Sequence, residues 1–418
     1  MKMKETLYDW LGIRHTLDFC AFILILGTFC YGVSSCASSD GYRADHGVAP
    51  CEITAPLDSL FGGMFAEGEP GAMVTVMRGG RIVYNHAFGR SRLDSMARVT
   101  DSTVFNLSSV SKLFTGVALV KMAEQGIISL DDSLSRFFPS FPAHYFDKIS
   151  VRHVLTHSSG LPDLRPIGED AWDRYIETHK SIFGYDLDYR RYGTEAEYMK
   201  SFENLDTIAF EPGTHYDRRD ISYVLVAPMI EAATGENFDA WMKRNIFDPA
   251  GLTETFYYHT DLNSDCLAHG YKRAESSAAT STFRSDDGRW EEYDYDEADY
   301  FLTKADRGVC SSARDFMRFK KALREGRIIS AASLDTMLTT FIATDVPFVE
   351  FAMGTAVRRE PGMPAKAYHM NMNGGFASAE CWWPERDVDY LIFTCRNDWN
   401  QRAVLAAVDS IISSKGWL

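Results

Sequence analysis

Residues 105–134 read FNLSSVSKLFTGVALVKMAEQGIISLDDSL, and their spacing decides how the rest of the chain is read. Asn106 or Ser108 suits the cap of a helix running from about Ser109 to Gln125. Within it Leu113, Val117, Val120 and Ala123 recur at helical spacing, and Gly126 stops it. Ser109 and Lys112 are three apart in the first turn, so they share a face. The amide end of a helix favours negative charge developing on a serine oxygen. A lysine beside it, once partly desolvated, is able to be neutral and to accept the serine proton. SxxK alone is a weak signal, because Ser and Lys are common. Its plain reading is a surface lysine and a capping serine.

Working outward, Gly71 to Gly89 places two β-rich runs about Gly79-Gly80, a hairpin pattern. Ile149 to Leu161 reads as a short helix ending in a Ser-Ser-Gly turn, and Tyr223 to Thr234 as an apolar helix closed by Gly235. Residues 165–205 have little periodicity and read as an insertion, and 281–300 as an acidic, aromatic loop or mobile lid. Arg314 to Arg324 is a further helix, Tyr368 to Asn397 holds two β runs about the turn at 384–387, and Ala403 to Ser413 is a closing helix. Strands at both ends with helices between imply an α+β domain. Its sheet is then antiparallel and built from about 54–115 and 305–415, with a helical subdomain inserted over about 116–304.

The amino terminus reads as an address. Phe19 to Gly32 is an apolar run of 14 residues, short of the ~20 a spanning helix needs. Lys2, Lys4 and Arg14 supply its basic flank, and Val33-Ser34-Ser35-Cys36, which resembles the bacterial lipobox, follows. Residues 1–35 are expected to be a lipoprotein signal peptide, Cys36 the lipid attachment, and 36–53 a tether. That makes the membrane a partner and the bacterial cell envelope the location. An uncleaved signal anchor is the alternative. The 418 residues carry 43 Lys and Arg against 58 Asp and Glu, a net charge of −15, which gives no footprint for nucleic acid. The other cysteines, at 51, 266, 310, 381 and 395, have no CxxC spacing, so neither a zinc site nor a dense disulfide framework is expected. His153 and His157 are i, i+4 but no Glu follows the first, so packing and turn roles are expected. The acidic residues at 291–299 lack the alternation of a calcium loop. No metal or cofactor is expected.

Taken together, these segments resemble the serine hydrolases of the class C β-lactamase, DD-peptidase and esterase superfamily. Phe105 to Lys112 is similar to its nucleophile segment, Gly116 to Leu134 to the helix after it, and Val151 to Pro162 (VRHVLTHSSGLP) to its most recognisable structural stretch. Glu211 to Thr214, Tyr223 to Gly235, Gly308 to Asp315 and Cys381 to Asn397 extend the likeness over about 54–415. The resemblance implies a β-lactamase/transpeptidase-like fold and three active-site elements. Ser109 and Lys112 are the first. The second, normally Tyr-x-Asn or Tyr-x-Asp, aligns with Arg218-Arg219-Asp220, so arginine stands where tyrosine belongs. A guanidinium is no base at working pH. Arg218 is left to stabilise negative charge or bind a substrate carboxylate, or to pair with Asp217 or Asp220. Tyr216, His215 and Tyr223 are nearby substitutes outside the aligned position.

The third element, normally Lys-Thr-Gly or His-x-Gly, aligns with His369-Met370-Asn371, where asparagine replaces the glycine that lets a strand approach a ligand. A register through Asn373-Gly374-Gly375 lacks the preceding base. The resemblance further implies an oxyanion hole of the Ser109 and Met372 N–H groups, with Asp220, His369 and Asn371 contacting substrate. The function expected is an envelope serine hydrolase that forms a Ser109 acyl-enzyme on an amide or ester bond. Its substrate would be a small molecule or peptide-like: a β-lactam, a D-amino-acid peptide or a small ester. The alternative is a weak or inactive relative that binds a cell-wall fragment or a partner protein.

Overall fold

The computed structural model describes residues 51–162, 195–218, 221–259, 266–275, 286–293, 303–373 and 375–418. All of them lie in the second of the two units into which the chain divides, residues 44–418. The expected signal peptide and Cys36 lie outside the described residues.

β1 (Ala72–Arg78) and β2 (Arg81–Phe88) form the expected hairpin, and Gly79 and Gly80 supply its two positive φ angles. β3 (Val104–Asn106), β4 (Thr255–Tyr257), β5 (Tyr271–Glu275), β6 (Asp286–Glu292) and β7 (Val309–Ser312) follow. The last third supplies β8 (Ile342–Ala343), β9 (Val349–Phe351), β10 (Ala356–Arg358), β11 (Lys366–Asn373), β12 (Phe376–Trp383) and β13 (Val388–Thr394). Eight strands make one antiparallel sheet in the order β2-β1-β13-β12-β11-β10-β9-β8. It therefore draws on both ends of the described chain. β3, β7 and β4 form a second small sheet, and β5 pairs with β6.

Side-chain alternation divides the large sheet between two cores. Val74, Val76, Ala377, Ala379, Tyr390 and Ile392 face helices α1 (Thr54–Gly62) and, at the carboxyl end, Gln401–Ser413. Met73, Met77, Leu391 and Phe393 face the opposite way, toward α2 (Ser111–Glu124) and α3 (Ala313–Arg324). On that side Phe114 stacks on Phe319 at 4.1 Å, and Phe316 meets Phe393 edge-on at 5.4 Å. Each such ring contributes roughly 1.5–3 kcal/mol by leaving water. α2 is buried on almost every side, as a helix threaded through a core must be. It presses so closely on the next segment that a Cβ at Gly116 would stand 2.6 Å from the Met353 carbonyl oxygen.

Two readings of the sequence are corrected here. Residues 286–292, taken as part of a loop, are strand β6, paired with β5. A stack invisible to periodicity accompanies the pairing: the guanidinium groups of Arg273 and Arg396 lie 3.8 and 4.5 Å from the Trp290 ring. Within 165–205, taken as lacking periodicity, Glu195–Glu203 is a helix. Its Tyr198 and Phe202 are buried, with Phe202 against Phe141 and Phe146.

Candidate active site

The expected helix start resolves into a 3-10 turn, Ser108–Val110, that runs into α2. Ser108 adopts φ 48, a left-handed conformation that costs a non-glycine residue about 1–2 kcal/mol. Two asparagines hold it there. Asn106 Oδ1 accepts the Ser108 N–H at 2.8 Å, and Asn371 Nδ2 donates to Ser108 Oγ. The strained residue thus fixes the one after it, Ser109.

Lys112 Nζ donates to Ser109 Oγ at 3.0 Å and to the Asp306 carbonyl at 3.1 Å. Ser109 is 5% exposed and Lys112 1%, so the pair is almost out of water. The plain reading of a surface lysine is excluded. The same helix is fastened to the segment beside it: Val309 N–H donates to Ser111 Oγ at 3.0 Å, and Thr115 Oγ1 donates to the Ala305 carbonyl at 2.6 Å. The ring of Tyr223 lies 5.4 Å from Lys112 Nζ. Its hydroxyl donates to the Leu155 carbonyl at 2.6 Å. Tyr223 therefore presents its ring to the lysine.

Arg218 is exposed, and its Nη2 donates to the Met370 carbonyl on β11 at 3.4 Å. The structure thus brings the aligned second element against the third. Arg219 and Asp220 lie outside the described residues. Tyr216 packs against His157 and Phe351, and His215 Nδ1 meets Thr214 Oγ1 at 2.8 Å.

β10 pairs with β11 only over Lys366–Tyr368, so from His369 onward that edge of β11 is open toward the Ser108–Val110 turn. Met370 turns its carbonyl to this edge, and alternation turns the Met372 N–H to the same side. The Ser109 N–H sits in the first turn, where amides have no acceptor within the helix. These are the two donors the oxyanion expectation names. His369 and Asn371 project from the face of β11 that looks toward α2, while Met372 is exposed. Asn371 lies beside the nucleophile, and Gln401 Nε2 donates to its carbonyl at 2.9 Å.

Behind His369 is a buried charge network that the sequence reading missed. His369 Nδ1 meets Glu380 Oε1 at 3.4 Å. Glu380 pairs with Lys320 at 3.1 Å, and Lys320 reaches Asp389 at 3.5 Å. Lys320 also lies 4.1 Å from the Trp382 ring. Burial pushes the His369 imidazole below its ordinary value, and the Arg218 and Lys112 charges push the same way. Burial alone would raise the Glu380 carboxyl, but Lys320 and His369 together bring it below the usual carboxylate range. The available signal was chemical. Glu380 interrupts the apolar strand FASAECWW, and Lys320 falls on the apolar stripe Phe316, Phe319, Leu323 of α3.

The two histidines at i, i+4 have separate local roles. Ser150 N–H donates to His153 Nδ1 at 3.1 Å, and His153 N–H to Ser150 Oγ at 3.3 Å, a capping box. His157 has φ 54, and its carbonyl accepts the Asp217 N–H at 2.9 Å. No cluster of potential metal ligands occurs among the described residues. Cys51, Cys266, Cys310, Cys381 and Cys395 are free thiols.

The sequence profile described as Beta-lactamase matches residues 57–409. Penicillin-binding protein 4* of Bacillus subtilis (strain 168) is 27% identical over 309 residues, covering 73% of this chain and 63% of that protein. The chain spans between two fifths and just under two thirds of the length of the first curated relatives it matches. Among solved structures, the penicillin binding protein from Bacillus halodurans superposes with TM-score 0.67 at 19% identity, over 87% of this chain and 100% of that one. The D-amino acid amidase from Ochrobactrum anthropi SV3 superposes with TM-score 0.66 at 20% identity, over 87% of this chain and 98% of that one.

Proposed function

We propose, from the premise that the chain belongs to the beta-lactamase family of serine hydrolases, that it hydrolyses an amide or ester bond through a Ser109 acyl-enzyme. Its fold is the β-lactamase/transpeptidase-like one. The observation that carries the reading is the buried 3.0 Å contact between Lys112 Nζ and Ser109 Oγ at the start of α2. A lysine with almost no water around it is suited to holding the serine proton only part of the time. Ser109 Oγ attacks the carbonyl carbon, and its proton leaves by way of Lys112. The N–H groups of Ser109 and Met372 receive the oxyanion. The leaving amine or alcohol takes the proton, and water later releases the acyl group.

The substrate class is a β-lactam, a D-amino-acid amide or peptide, or a small ester. Relatives named penicillin-binding proteins make penicillin a sensible first probe. We place the protein at the cell envelope through a lipid on Cys36, so Cys36→Ser should move it out of the membrane fraction. The substrate test measures turnover of nitrocefin, D-alanine amide and p-nitrophenyl acetate by the wild type, Ser109→Ala and Lys112→Met. Turnover confined to the wild type supports the reading, and equal rates in all three overturn it. A second reading, a non-catalytic binder of a cell-wall fragment or partner protein, is favoured by the Asn371 side chain standing over Ser108 and by Arg218 at the tyrosine position.

A further inference from the structure

The site lacks a phenol at Arg218, and Tyr223 has its hydroxyl turned to Leu155. Lys112 is already bonded to Ser109 Oγ at 3.0 Å, and a second acceptor beside it would serve the water step. The one imidazole on the face of β11 that reaches Ser108 is His369, two residues before Asn371. His369 is 5% exposed, and its Nε2 is a buried nitrogen with no hydrogen-bond partner among the described residues. Its other nitrogen faces Glu380. A carboxylate only accepts, so an ionised Glu380 requires Nδ1 to carry the proton and leaves Nε2 with its lone pair. Lys320, on α3, keeps Glu380 ionised from the far side.

We propose that Glu380, ionised against Lys320, is a positioning residue that holds His369 as the Nδ1–H tautomer, with Nε2 as the proton acceptor that replaces the missing tyrosine. This rests on the hydrolase reading above for its chemical step. In the hydrolytic half of turnover, Nε2 takes a proton from water as the water oxygen bonds to the acyl carbon. The bond from that carbon to Ser109 Oγ then breaks, and the imidazolium proton passes to the departing alkoxide. The groups facing His369 are Glu380 from β12, Lys320 beyond it on α3, Lys112 on α2 and Arg218 before the next helix. Lys320 and Arg218 are cations, and Lys112 joins them whenever it carries the serine proton, which favours the neutral ring that an acceptor needs.

The test is nitrogen NMR on the full chain labelled with 15N-histidine, with the His369 signals assigned by their loss in His369→Gln. The expected spectrum shows a protonated Nδ1 and a bare Nε2 from pH 8 to pH 6. In Glu380→Gln that tautomer gives way to a mixture, and Glu380→Asp restores part of it. A protonated Nε2, or a charged ring at neutral pH, overturns the proposal, as does a tautomer unchanged in Glu380→Gln. The wild-type spectrum decides the tautomer even if the glutamine variant fails to fold. With a turned-over substrate in hand, Glu380→Gln should lower kcat about 10²-fold with KM little changed. An unchanged kcat beside a switched tautomer refutes the acceptor role. Absence of any turnover refutes the hydrolase reading and the acceptor role together, while the spectrum still decides the tautomer.

Discussion

Asn371→Gly separates stability from chemistry at one position. Asn371 stands where a glycine would let β11 approach a ligand, and its amide donates to the buried hydroxyl of Ser108. Removing the side chain loses one hydrogen bond, about 1 kcal/mol. A glycine in a strand costs a further 0.5–1 kcal/mol or so in backbone freedom. The sum, about 1.5–2 kcal/mol, also loosens the hold on a residue at φ 48. The folded state should therefore melt about 2–3 °C lower. Acylation should move the other way. A strand without that side chain lets a ligand come closer, and a gain of about 1.4 kcal/mol in the transition state is worth about tenfold in rate. The assay pairs thermal unfolding with the burst rate of a fluorescent penicillin under single-turnover conditions. A lower melting temperature with faster acylation is the expected result. Slower acylation would refute the reasoning and make the Asn371 amide a substrate contact rather than an obstruction.

Other perturbations follow from the same geometry. Gly116→Ala gains about 1 kcal/mol of helix propensity but overpacks against the Met353 carbonyl at a cost of about 1–3 kcal/mol; stability should fall slightly. Shifting the helix that carries Ser109 by a fraction of an ångström should slow acylation by up to about 10²-fold, seen in the same burst assay. Arg218→Tyr removes one of the charges that favour a neutral His369 and should lower turnover by up to about tenfold; a rise of about 10²-fold would return the acceptor role to a tyrosine. The folded-state values of His369 and Glu380 are both depressed. Their contributions are therefore present above the ordinary values, about 6.5 and 4.3, and are lost as pH falls through the depressed ones. Melting temperature should decline from about pH 6.5 downward, and His369→Gln should flatten the upper part of that decline.

Local patterns were legible in the chain and distant registers were not. The helix bearing Ser109 and Lys112 announces itself through Leu113, Val117 and Val120, and the hairpin through Gly79-Gly80, because each is set by neighbours a few residues away. The 3-10 turn at Ser108–Val110 was not visible, since its positive φ is held by Asn371, 263 residues further on. Glu380 and Lys320 are 60 residues apart and meet only once β12 and α3 pack. β8, β9 and β10 hold two or three residues each, too short for a period to show. Arg218 and His369 were singled out through the resemblance, but that Arg218 caps the Met370 carbonyl is a fact of the folded chain.

The central claim is that Ser109 forms a covalent acyl-enzyme. Incubate the purified protein with a fluorophosphonate and with a fluorescent penicillin, and map the adducts by peptide mass spectrometry. The account predicts one label, on the peptide bearing Ser109, absent in Ser109→Ala although that variant melts at nearly the wild-type temperature. An unlabelled wild type at high protein concentration, or a label that survives in Ser109→Ala, would contradict it.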